Sequence, residues 1–130
     1  MFYEFYIQTK QRYELVDITE KVEKVVKESN IKEGWVLVFV SHSTAAIVLT
    51  ENEEGLKKDW LNFLKTTVAG FDFQHNRIDD NADSHILSGL IGQGRILPVK
   101  DGQMVRGTWQ NIFLIELDGP RSRRVVVEIK

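Results

Sequence analysis

The spacing of apolar positions changes period several times along the chain, and each change marks an element. Residues 2–8 alternate, with aromatic side chains at most of the apolar positions, which predicts a strand, and residues 12–16 predict a second. Asp17 followed by Glu20 has the spacing of a capping box. Val22, Val25 and Val26 then recur at helical intervals, and Asn30 supplies a stop. After a turn at Glu33-Gly34, residues 35–41 form a nearly unbroken run of strand formers, the pattern of a strand covered on both faces. Residues 45–51 predict a further strand. Leu56, Trp60, Phe63, Leu64 and Thr67 give an amphipathic helix over 55–68. Residues 69–80 are polar and irregular. A short helix over 82–92 follows, capped by Asp80 or Asn81, with Ile86, Leu87, Leu90 and Ile91 as its apolar face. Strands over 95–99, 104–108, 110–118 and 123–129 complete the chain, with Lys100-Asp101-Gly102-Gln103 a type I′ hairpin turn and Asp118-Gly119-Pro120-Arg121 a second turn.

About three helices and roughly seven strands, not regularly alternating, predict an α+β domain with an antiparallel or mixed sheet and a sandwich-like core. A chain of 130 residues fits one domain over 1–130 that buries its own core. So many strands also leave edges to cover, and self-association is one way to cover them.

Composition narrows the chemistry. The net charge of -2 argues against a broad grip on nucleic acid. The absence of cysteine removes disulfides, thiolate nucleophiles and cysteine metal ligands. No apolar run is long enough to cross a membrane as a helix, and the N-terminal residues lack the features of a signal peptide, so the expected location is the cytoplasm.

The 3 histidines are His42, His75 and His85, each set among small polar or acidic residues. Converging imidazoles can hold Zn²⁺ and leave a position for an ionised water. Their spacing alone does not require this, since no pair has local ligand spacing, and hydrogen-bonded surface histidines are the plainer reading. Asp79, Asp80 and Asp83 read first as helix-capping acids and second as a Mg²⁺ site for a diphosphate. Arg106, Arg121, Arg123 and Arg124 can serve as phosphate donors or as solvated charge. Glu53 caps a helix or, if it faces the histidines, acts as a base.

Several segments together resemble one family. His42-Ser43-Thr44-Ala45-Ala46-Ile47 is similar to the HTTAAI segment of the YjbQ-like family. Glu51-Asn52-Glu53 is similar to its ENE element, and Asn81-Ala82-Asp83-Ser84-His85-Ile86 to its NADAHI segment. Gly107-Thr108-Trp109-Gln110 matches its GTWQ segment, and Glu116-Leu117-Asp118-Gly119-Pro120-Arg121 resembles its E-x-DGPR turn. The order is preserved from about residue 35 onward. Ser43 and Ser84 replace the usual threonine and alanine without removing a candidate ligand. The resemblance implies a compact α+β homotrimer and a weak thiamine-phosphate synthase activity, joining a pyrimidine methyl diphosphate to a thiazole phosphate. It implies a shared site in which His42, Glu53, Asp83 and Arg121 carry chemistry. Ser43, Thr44, Asn81, Gly107, Thr108, Trp109 and Gln110 would bind a small, phosphorylated ligand. His42, His75 and His85 would hold a divalent ion, Zn²⁺ or Mg²⁺. A metal-dependent hydrolase and a non-catalytic ligand-binding trimer are the alternatives.

Overall fold

The computed structural model describes all residues, Met1–Lys130. Eight strands and three α-helices follow in the order β1 (Phe2–Gln8), β2 (Glu14–Asp17), α1 (Thr19–Ser29), β3 (Glu33–Val40), β4 (Ala45–Thr50), α2 (Glu54–Val68), α3 (Ala82–Ile91), β5 (Gly94–Lys100), β6 (Gln103–Met104), β7 (Asn111–Glu116) and β8 (Ser122–Ile129). A short 3₁₀ turn at Gln74–Arg77 interrupts the polar segment before α3. The strands form a five-stranded sheet in the order β1-β8-β3-β5-β6 and a three-stranded sheet in the order β2-β7-β4. Every pairing is antiparallel, so the α+β sandwich expected from the pattern is present and its sheet is not mixed.

The layers follow from side-chain alternation. Ala45 and Ile47 of β4, with Ile112 and Leu114 of β7, face a core of 17 buried residues shared with the five-stranded sheet and α1. Ala46, Val48, Phe113 and Ile115 face a second core of 8 residues against Leu64 of α2 and Leu87 of α3. The three-stranded sheet is thus the middle layer.

This arrangement corrects one expectation. The strands covered on both faces are β4 and β7, whereas β3 buries Val36, Val38 and Val40 and turns Trp35 and Phe39 outward. The uninterrupted apolar run in β3 marks a second sticky face on a strand that is central in its sheet but covered on one side only. Helix α3 departs similarly. Its buried face carries Ala82, Ser84, Leu87 and Ser88, and Ile86 and Leu90 point outward. The Ser84 and Ser88 hydroxyls donate to the carbonyls of Leu117 and Ala45, so the serines are buried because backbone acceptors await them. Residues 105–108 are loop, and the predicted strand shrinks to β6. The capping box at Asp17 and Glu20 does not form. The Asp17 carboxylate instead accepts from the Thr19 N–H and hydroxyl and from the amides of Asn52 and Asn111. The Asp101-Gly102 turn has the paired positive φ angles, 52° and 77°, of a type I′ hairpin.

Candidate functional site

Three chain segments meet at one end of the middle layer. The loop between β3 and β4 brings His42, Ser43 and Thr44. The start of α3 brings Asn81 and His85. The turn into β8 brings Asp118, Pro120, Arg121, Ser122 and Arg123. These residues line an open cleft of about 520 Å³ that contains no hydrophobic side chain.

Beneath the cleft lies a buried ion pair. Arg123 and Glu116 are 1% and 0% exposed. The Arg123 Nε donates to Glu116 Oε1 at 2.8 Å, and its Nη2 donates to Glu116 Oε2 and to the Thr44 hydroxyl and carbonyl. The carboxylate also accepts the Thr9 hydroxyl and the N–H groups of Leu117 and Asp118. The Arg123 Nη1 has no protein acceptor, yet no buried polar atom in the structure lacks a partner, so Nη1 reaches the accessible surface. The backbone N–H groups of Ser43 and Thr44 likewise donate to no protein acceptor.

A second chain of bonds fixes the upper wall. Asp118 Oδ2 accepts from Arg121 Nη2 at 3.0 Å and from Asn81 Nδ2 at 2.9 Å. Because a carboxylate only accepts, the Asn81 amide is oriented, and its Oδ1 faces His75 Nε2 at 2.9 Å. His75 Nε2 is therefore the donor to Asn81, and the ring stands edge-on to His85 with centroids 5.1 Å apart.

His42 Nε2 accepts the Arg124 N–H at 2.9 Å, which leaves Nδ1 as the protonated nitrogen of the neutral ring. Burial, then the Arg123 guanidinium, lowers the His42 pKa below the ordinary value, with Glu116 acting in the opposite direction. The neutral form is the one that can accept from Arg124.

The structure thus brings His42, Ser43, Thr44, Asn81, His85 and Arg121 together, with His75 touching the group through Asn81 and His85. It does not gather the three imidazoles as a metal cage: no three His, Asp or Glu side chains converge at metal-holding distances. The Nε2 atoms of His42 and His75 are both engaged in hydrogen bonds.

The other expected residues lie elsewhere. Glu53 is the N-cap of α2, its carboxylate accepting the N–H groups of Gly55 and Leu56, and it does not line the cleft. Asp83 binds Arg12 through Oδ1 and the Tyr13 hydroxyl through Oδ2, so both oxygens tie α3 to the start of β2. Burial and the Asp83 carboxylate push the Tyr13 hydroxyl far above the ordinary tyrosine range, keeping it a donor. Gly107, Thr108, Trp109 and Gln110 form a separate loop. There the Gln110 side chain accepts the Gly107 N–H, Arg106 donates to the Gln110 carbonyl and pairs with Glu23, and Trp109 stands 70% exposed.

Sequence reasoning missed Asp118, Thr9 and Glu116 as parts of the site, and with Glu116 the partner that holds Arg123, itself named as a candidate phosphate donor. Asp118 was hidden inside a segment read as a turn. Glu116 carried a usable signal: a charge closing the apolar run Ile112–Ile115 must find a partner if that run is buried.

The chain matches the family model for UPF0047 protein YjbQ-like over residues 3–130. It is 42% identical over 126 residues to a UPF0047 protein of Archaeoglobus fulgidus, covering 96% of this chain and 98% of that one. It is 32% identical to the UPF0047 protein YugU of Bacillus subtilis, covering 95% and 94%. Among solved structures, a YbjQ-like protein of unknown function from Sulfolobus solfataricus superposes with a TM-score of 0.97 at 50% identity, covering 99% of this chain and 95% of that one. A YjbQ/UPF0047 protein of Clostridium acetobutylicum gives 0.94 at 33% identity, covering 98% and 99%. On sequence and fold together, the chain belongs to the UPF0047, YjbQ-like family.

Proposed function

We propose that the cleft binds the phosphate or diphosphate group of a small molecule and that neutral His42 donates to it through Nδ1–H. The observation that carries this reading is the set of unspent donors at a mainly polar cleft: Arg123 Nη1 and the N–H groups of Ser43 and Thr44. Such donors, fixed before the ligand arrives, favour an anion without reorganising. Arg121 adds a guanidinium already oriented by Asp118.

Within this reading the synthase-type reaction is the specific instance. The thiazole nitrogen attacks the pyrimidine methylene, a C–N bond forms, the C–O bond breaks, and diphosphate leaves with its electron pair. The cleft's contribution is to hold the departing diphosphate, Arg121 and Arg123 facing its charge. Arg106 takes no part, because it does not line the cleft and lies beside Glu23 and the Gly107–Gln110 loop. Zn²⁺-dependent hydrolysis on the three histidines fits the donor set poorly, since His42 has only Nδ1 to offer and that nitrogen carries the proton. A Mg²⁺ ion would enter as the diphosphate's own counter-ion.

Titration calorimetry with inorganic pyrophosphate tests the reading. Wild type should bind, and Arg121→Ala should weaken binding by about tenfold or more, as expected for loss of a charge-assisted bond. Wild type that binds neither phosphate nor pyrophosphate refutes it.

We also propose that the chain assembles as a homotrimer through the outer face of the five-stranded sheet. That face exposes the large apolar side chains Phe2, Tyr6, Trp35, Phe39 and Ile96, which a second copy could cover. In sedimentation velocity, Phe39→Glu should convert the trimer to monomer; a monomeric wild type overturns this proposal.

A further inference from the structure

We propose that Thr9, at the end of β1, is a positioning residue that sets the two arginines of the cleft. The inference rests on the anion-binding reading above and adds a residue that does not itself line the cleft.

Thr9 is 2% exposed. Its hydroxyl donates to Glu116 Oε1 at 2.6 Å and accepts the Arg121 N–H at 2.8 Å. Its own N–H donates to the Arg121 carbonyl at 2.9 Å. Thr9 therefore grips Arg121 by both backbone groups. It also holds the carboxylate that receives Arg123 Nε and Nη2. One hydroxyl links the two guanidinium-bearing residues.

The turn above it is shaped to this contact. A Cβ on Gly119 would stand 3.0 Å from Thr9 Oγ1, 2.7 Å from Glu116 Cγ and 2.2 Å from the Gln11 carbonyl. No larger residue lets the turn settle onto Thr9, so Gly119 serves close approach.

The molecule holds its own control. Thr19 is 3% exposed, and its hydroxyl donates to Asp17 Oδ1 at 2.6 Å and accepts the Ile112 N–H at 2.8 Å. The two threonines make the same pair of bonds, one beneath the cleft and one away from it.

The test is pyrophosphate binding by calorimetry together with thermal unfolding, on the full chain. Thr9→Val keeps the shape and removes the hydroxyl. It should weaken binding by about tenfold or more, and Thr9→Ser should restore wild-type affinity. Thr19→Val should lose comparable stability and keep wild-type affinity. Thr9→Cys, with a weaker donor and acceptor of similar size, should fall between and serves if Thr9→Val does not fold. Wild-type affinity in Thr9→Val or Thr9→Cys overturns the positioning role and leaves the anion reading standing. Equal weakening in the Thr9 and Thr19 variants overturns it as well, because the effect would then be general. Wild type without pyrophosphate binding overturns both.

Discussion

Replacing Arg123 with methionine isolates what the buried pair contributes. The substitution keeps most of the side chain's length and removes the guanidinium. Glu116, 0% exposed, would keep the Thr9 hydroxyl and the N–H groups of Leu117 and Asp118 but lose both guanidinium bonds. The Thr44 hydroxyl and carbonyl would lose a donor too. Breaking one side of a buried pair costs about 3–5 kcal/mol, chiefly the desolvation of the charge left behind. For a chain of this length that is a fall in Tm of about 10–20 °C. In urea the midpoint should drop with an unchanged slope. A cost below about 1 kcal/mol would mean that the pair is not the electrostatic unit described here.

Three further outcomes follow from other parts of the structure. Because the folded His42 pKa is depressed, chiefly by burial, its contribution to stability is complete above its unfolded value of 6.5 and fades as pH falls through the folded one. Wild type should therefore lose stability relative to His42→Gln below about pH 6.5, and a flat difference across that range contradicts the assignment. Glu53→Ala should cost about 1 kcal/mol through the lost cap and leave pyrophosphate affinity unchanged; altered affinity would restore Glu53 to the site. Ser88→Ala should destabilise by about 1–3 kcal/mol in chemical denaturation, since it strips the Ala45 carbonyl and the Gln93 amide of a buried partner. A neutral result would show that water fills the gap.

Most elements were legible because their patterns were local. Alternation in β1, the spaced valines of α1 and the Asp-Gly turn at 101–102 each report on backbone preferences that need no distant partner. What misled was burial. Trp35 and Phe39 of β3 and Ile86 and Leu90 of α3 are as hydrophobic as core, yet they face outward, because a sequence records stickiness and not what covers it. The serines of α3 failed in the reverse sense: they are buried because the Leu117 and Ala45 carbonyls, 33 and 43 residues away, need donors. The site was half legible for the same reason. Histidine and arginine announce chemistry by type, so His42, His85 and Arg121 could be found. Thr9 reaches Glu116 across 107 residues of sequence, and nothing near it signals that contact.

The placement of β8 between β1 and β3 sets an order of events in synthesis. β1 pairs only with β8, and β3 takes β8 as one of its neighbours. The first strand made must wait for the last, and until then both expose unpaired backbone and apolar side chains. The cleft, built on Thr9 at one end and Arg121 and Arg123 at the other, comes into being only when that strand is inserted. A chain without β8 thus lacks the cleft and leaves strand edges open to aggregation.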